Sequence, residues 1–156
     1  GFPTDIGADD SHTATKIALI GYRAIIPEKI QCQELIPKNG YIEWRIRRAQ
    51  HLIQHFMKTF RSSEHSSLDT YGRTLAIETF LHILNPWLLL LAITLFLLSV
   101  LISNSFLASI LIALGFILLT IKLYRAWISS QIFLIIASVK NLWTREIIWS
   151  KSTKSY

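Results

Sequence analysis

Residues 79–121 read TFLHILNPWLLLLAITLFLLSVLISNSFLASILIALGFILLTI and contain no Asp, Glu, Lys or Arg. As one straight helix this stretch would be roughly 65 Å long, about twice the hydrocarbon thickness of a bilayer. It must therefore fold back on itself. The polar cluster inside it is Ser103-Asn104-Ser105, with an apolar run of spanning length on either side. Residues 86–102 and 106–123 read as two transmembrane helices joined by a tight turn. The alternative is a buried hairpin in a soluble protein, and 156 residues leave too little chain to wrap two helices that are apolar all round.

Charge is distributed to match. The chain has 16 basic and 10 acidic residues. Residues 1–40 hold four basic and five acidic, residues 41–73 six and three, and residues 74–156 six and two. The excess lies in the flanks of the hairpin, so both flanks are expected on the cytoplasmic side of the cell membrane. No nucleic-acid motif accompanies the basic residues, which argues against a nucleic-acid partner. Cys32 is the single cysteine. It excludes an intramolecular disulfide and a thiolate cluster, and a buried, inert thiol is expected. The chain begins with Gly1 and no leader-like segment precedes the hairpin, so the opening reads as the middle of a domain and the chain as a fragment.

Working outward from the hairpin, residues 1–10 read as a loop and 12–20 as a helix capped by Asp10 or Ser11 and ended by Gly21. Residues 22–26 and 30–35 are short runs with strand character, which gives this part an α/β flavour. A long helix is expected over 40–60, with Ile46, Ala49, Leu52, Ile53, Phe56, Met57 and Phe60 on one face. Arg45, Arg48, His55 and Arg61 fall opposite, with Arg47, His51 and Lys58 at the borders. Such a basic amphipathic helix suits an anionic membrane surface, and its apolar stripe suits packing against a further domain equally well. After a Ser-rich linker, residues 74–85 form a helix that Asn85-Pro86 should bend at the interface. Trp87, Tyr124 and Trp127 are placed as interfacial anchors. Residues 127–149 read as an interfacial or re-entrant helix with a cytoplasmic tail. A third span would carry Lys140, Arg145, Lys151 and Lys154 outside, against the charge rule.

Two clusters have chemical potential. Asp9 and Asp10 are either a helix cap favouring the dipole or a general base, and a carboxylate pair also suits a divalent cation. Arg45, Arg47 and Arg48 are either a solvated helix face or a clamp for phosphate oxygens. His51 and His55 stand four apart, without the intervening Glu or third ligand of a zinc helix, and read as a helix flank.

These clusters occur in a familiar order. Asp9-Asp10-Ser-His-Thr-Ala-Thr-Lys-Ile-Ala-Leu-Ile-Gly21-Tyr-Arg resembles the Glu-Asp element of family 2 glycosyltransferases, where the catalytic Asp opens a helix ending eleven residues later in Gly-Tyr/Trp-Arg/Lys. The likeness continues through Pro27, Glu34 and Pro37 to Tyr41-Ile-Glu-Trp-Arg-Ile-Arg-Arg48. There, membrane-bound members such as cellulose and hyaluronan synthases carry Gln-x-x-Arg-Trp. Trp44 stands at the Gln position, Arg47 at the Arg and Arg48 at the Trp.

The resemblance implies a fold and a reaction. The fold class would be an α/β fragment of a GT-A-type, Rossmann-like domain (1–42), then a basic interfacial helix and linker (43–73). The transmembrane hairpin (74–125) and an interfacial helix with a basic tail (126–156) would complete an α-helical membrane domain. The reaction would be inverting transfer from a nucleotide-sugar donor to a lipid or polysaccharide acceptor, with Asp10 as catalytic base. Asp9, Trp44, Arg45, Arg47 and Arg48 would line the substrate and diphosphate site. A divalent cation (Mg2+ or Mn2+) is expected for the full-length enzyme, its main ligands outside this chain, and the fragment alone should be inactive. A non-enzymatic anchor binding anionic membrane lipids is the competing reading.

Overall fold

A computed structural model of the chain describes residues 9–23, 25, 37, 39–62 and 70–144. Its elements are α1 (Asp9–Leu19), α2 (Tyr41–Ser62), α3 (Thr70–Thr79), a π-helical turn (Phe80–Leu84), α4 (Asn85–Ser103), α5 (Phe106–Leu118) and α6 (Lys122–Trp143). Among the described residues there is no strand, which overturns the α/β expectation. A short apolar run becomes a strand only where a second strand satisfies its backbone, and Tyr22, Arg23 and Ile25 have no such pairing. The 30–35 run, Cys32, the Ser-rich 63–69 segment and the 145–156 tail lie outside the described residues.

The end of α1 follows the sequence closely, whereas its start does not: the helix begins at Asp9, so Asp10 and Ser11, expected as caps, lie inside its first turn. Gly21 takes φ +88°, and its N–H donates to the Ala18 carbonyl while that of Tyr22 donates to Ile17. This pair of bonds is the Schellman ending that a left-handed glycine permits. The core lies where α2 crosses α6. Ala49 and Ile53 meet Leu134 and Ala137, with Ile46, Leu52 and Phe133 packed around them. The two alanines let the helix axes approach, and Ala137 has no accessible surface left.

Helix α2 packs against α1 and α3 as well as α6. This moves its boundary between inside and outside away from the simple stripe. His51 and His55, expected on the border and the polar face, are buried together with Gln50 and Thr59. Met57 and Phe60, expected in the stripe, are instead 44% and 52% exposed.

Helices α3 and α4 run on through the π-turn as one 33-residue helix, Tyr71–Ser103, which is long and apolar enough to cross a membrane. At Asn85-Pro86, where a bend is expected, the helix instead continues by way of that wide turn. Pro86 has no N–H for the His82 carbonyl four residues back, and its ring crowds that oxygen. One extra residue per turn relieves the clash, and the Asn85 N–H donates to Phe80, five residues back. Pro86 is buried.

The hairpin turn is as tight as the sequence suggests. Asn104 adopts φ 46°, a left-handed conformation that asparagine tolerates better than most residues, and both Asn104 and Ser105 donate to the Ser99 carbonyl. Ser105 then caps α5 by accepting from the Ala108 N–H at 3.4 Å. The second arm is shorter than expected. It ends at Leu118, where successive i→i−3 bonds from Leu119, Thr120 and Ile121 tighten the chain and the Thr120 hydroxyl donates to Ile117. At 13 residues, α5 is about 20 Å long. Helix α6 leaves it at 106°.

Candidate functional site

A cavity of about 880 Å³ opens between α2, the π-turn and α6, within the size range of small-molecule sites. Helix α2 supplies Trp44, Arg45, Arg48, His51 and His55, which recur at three- and four-residue spacing and so share a face. The π-turn and the start of α4 add His82 and Asn85. Helix α6 adds Trp127, Ser130, Gln131 and Phe133, and α1 reaches the rim through Ser11.

The structure thus brings Trp44, Arg45 and Arg48 into one site. Arg47 is half-buried on α2 and is not among the described lining residues. Asp9 and Asp10 form the first turn of α1, immediately before Ser11, and their side chains lie outside the described residues. Ser11 is the residue of α1 that reaches the rim among those described, and the acidic pair directly precedes it in the chain.

Arg45 is held in place from several directions. It donates to the Tyr41 hydroxyl at 3.0 Å and to Ser130 at 3.4 Å, and its guanidinium stacks over the Phe133 ring at 4.9 Å. Arg48 lies over the Trp44 ring at 5.0 Å, and Trp44 stacks on Tyr41. Aromatic support of this kind orients a guanidinium through its face. Among the described residues the lining carries two arginines and no carboxylate. The described lining is thus positively charged.

Behind the arginines lies a buried polar layer. Thr15 of α1 meets His55 Nε2 at 3.3 Å, and the Tyr71 hydroxyl of α3 donates to Thr15 at 3.4 Å. His12 packs edge-on against His55 with ring centroids 5.9 Å apart. These contacts fix α1 to α2 and α3, and hence set where the first turn of α1 sits. On the far wall, His82 stacks on Phe56 and places Nδ1 2.7 Å from the Glu78 carbonyl. A carbonyl only accepts, so Nδ1 carries the proton of that bond. Asn85 donates to Gln131 at 3.2 Å, tying the π-turn to α6.

The sequence motifs do not reach His82, Asn85, Ser130 or Gln131, and they mark Trp127 only as an anchor. The available signal was the presence of His82 and Asn85 inside an otherwise apolar stretch, where polar side chains are costly and tend to mark function. Among the described residues no three His, Cys, Asp or Glu side chains are grouped to hold a metal ion.

No protein-family model and no curated protein matches the chain. Among solved structures, it is similar to the mannosyltransferase PcManGT from Pyrobaculum calidifontis, determined in complex with GDP-Man and Mn2+. The two share 49% sequence identity at a TM-score of 0.81, over 94% of this chain and 41% of that one. The chain thus spans about two fifths of the length of a glycosyltransferase that it resembles in both sequence and fold.

Proposed function

We propose that this chain forms the membrane-side part of a glycosyltransferase that moves a sugar, mannose foremost, from a nucleoside-diphosphate donor to an acceptor at the membrane. The observation that carries this reading is the 49% identity with a mannosyltransferase over nearly the whole chain. The cavity supports it with two oriented guanidinium groups beside the start of α1.

In this reading Asp10 takes the proton from an acceptor hydroxyl as its oxygen attacks the anomeric carbon. The bond from that carbon to the diphosphate breaks, and the nucleoside diphosphate leaves with the electron pair. Arg45 and Arg48 stabilise the charge growing on the leaving oxygens. A single displacement inverts the anomeric centre. The neighbour's Mn2+ would shield the same diphosphate charge, but the described residues of this chain offer no ligand set for it, so no step is assigned to a cation.

The acceptor, a lipid or polysaccharide, would arrive from the membrane. Leu88, Leu91, Leu95 and Leu98 of α4 and Leu107, Phe116 and Ile117 of α5 are all exposed, and only 6% of the best spanning window is covered by the rest of the fold. A lipid phase would accommodate such a surface. The hairpin would enter the cell membrane from the cytoplasmic side with the turn at Asn104 leading, and α6 would lie along the inner surface.

The test is donor-dependent transfer by membranes from cells expressing the complete gene. Labelled mannose from GDP-mannose should enter the lipid or polysaccharide fraction well above the level from UDP-sugars. Absence of transfer from every nucleotide sugar offered, with membrane insertion intact, would remove the enzyme and leave an anionic-lipid anchor.

A further inference from the structure

Gln131 is 6% exposed and lines the cavity from α6, yet its side chain makes a single hydrogen bond among the described residues. That bond comes from Asn85 Nδ2 at 3.2 Å, so it occupies Oε1 and leaves the Gln131 NH2 group without a protein partner. Asn85, which also lines the cavity, is left with the complementary group: its nitrogen is engaged and its Oδ1 accepts from no described residue. Two amides joined through one bond leave a carbonyl oxygen on one and an NH2 group on the other, whichever of them donates. The cavity wall therefore presents a donor and an acceptor side by side, each held in place by the bond between them. A polar group buried as deeply as Gln131 is costly to leave unsatisfied, and on a cavity wall a ligand is the partner that satisfies it.

We propose that Asn85 and Gln131 bind hydroxyl groups on the terminal sugar of the acceptor. The inference rests on the glycosyltransferase reading above and narrows its acceptor to one that already carries a sugar. Three observations point to that ligand. A hydroxyl both donates and accepts, so one hydroxyl or a neighbouring pair satisfies Oδ1 and the NH2 group together. A phosphate only accepts and would meet the carbonyl oxygen with like charge, and a hydrocarbon chain would leave both amide groups unsatisfied. Trp127 lines the same cavity one turn before Gln131 on the same face of α6, which supplies an apolar ring surface for the C–H face of a pyranose. The placement also fits the order of the reaction. Asn85 immediately precedes the first expected span, the side from which an acceptor arrives, while Ser130, next to Gln131 in the chain, accepts from Arg45 of the proposed diphosphate site. Acceptor sugar and leaving group are thus brought to adjoining positions.

The test uses the full-length protein in membranes, with GDP-mannose as donor. Octyl glycosides of mannose, glucose and N-acetylglucosamine serve as acceptors, each beside its monodeoxy analogues. The wild-type protein should use at least one glycoside and lose roughly 10–100-fold in kcat/KM on the analogue that lacks the bound hydroxyl. Gln131→Met should weaken use of the parent glycoside by a similar factor, chiefly through the acceptor KM, and should no longer distinguish parent from analogue. The KM for GDP-mannose should stay unchanged. Asn85→Ala, at a half-buried position, carries the same expectation and replaces Gln131→Met if that variant does not fold. An equal loss on every analogue, accompanied by a lowered Tm, would reduce the pair to a tie between α4 and α6. A change confined to the GDP-mannose KM would put the donor's sugar there and overturn the acceptor assignment. Mannosylation of dodecyl phosphate with no octyl glycoside accepted would overturn the sugar site and leave the glycosyltransferase reading standing. Absence of transfer to any acceptor, the membrane's own lipids included, would overturn both.

Discussion

Asp10→Asn is expected to lower sugar transfer by roughly 10²–10⁴-fold, the range that general base catalysis contributes. The substitution keeps the size of the side chain in the first turn of α1, so membrane insertion and thermal stability should change little. Donor binding should also survive, because the diphosphate site proposed here lies on α2. The informative measurement is therefore paired: transfer rate and equilibrium binding of GDP on the same preparation. Near-normal transfer by the Asn variant would confine Asp10 to a structural role in the first turn of α1.

The second large effect is expected at Arg45. Its replacement by Ala removes a preorganised cation from the site of developing charge, a loss of about 10²–10³-fold in turnover. Arg45→Lys should recover only part of this, since an ammonium cannot reproduce the planar fork that engages Tyr41, Ser130 and an anion together. Lost packing against Phe133 could mimic the effect. Tyr41→Phe separates the two, because it removes one hydrogen bond to the guanidinium and leaves the charge in place. A small effect of Tyr41→Phe beside a large one of Arg45→Ala, chiefly in turnover, marks charge stabilisation; equal effects accompanied by loss of stability mark packing.

How far the sequence reaches depends on which physics governs each element. The hairpin was legible because an uncharged stretch twice a membrane's thickness must turn, and Ser103-Asn104-Ser105 supplies both a left-handed residue and a cap. The end of α1 at Gly21 was legible for the same local reason. The strand expected over residues 22–26 is absent at the described positions there, since apolar character over five residues carries no information about a partner strand. His55 shows a different gap. Helical periodicity places it opposite the apolar stripe, but α1 and α3 cover that side and bury it against Thr15. A helix with three neighbours has no single inside face. In the site, Trp44, Arg45 and Arg48 could be picked out from their motif and charge. Asn85 and Gln131 join them only through a π-turn that brings α4 to α6, a tertiary event.

The central claim is that sugar transfer takes place at the cavity between the start of α1 and the arginines of α2. Ser11 is exposed on the rim of that cavity, one residue after Asp10, so a cysteine placed there reports on the site and can be followed on its own peptide. The decisive measurement is the alkylation rate of Ser11→Cys in the full-length protein, read at that peptide by mass spectrometry, with and without GDP-mannose. The donor should slow alkylation severalfold, and Arg45→Ala should abolish the protection. An alkylation rate unchanged by saturating donor, in protein that still transfers sugar, would place the chemistry elsewhere.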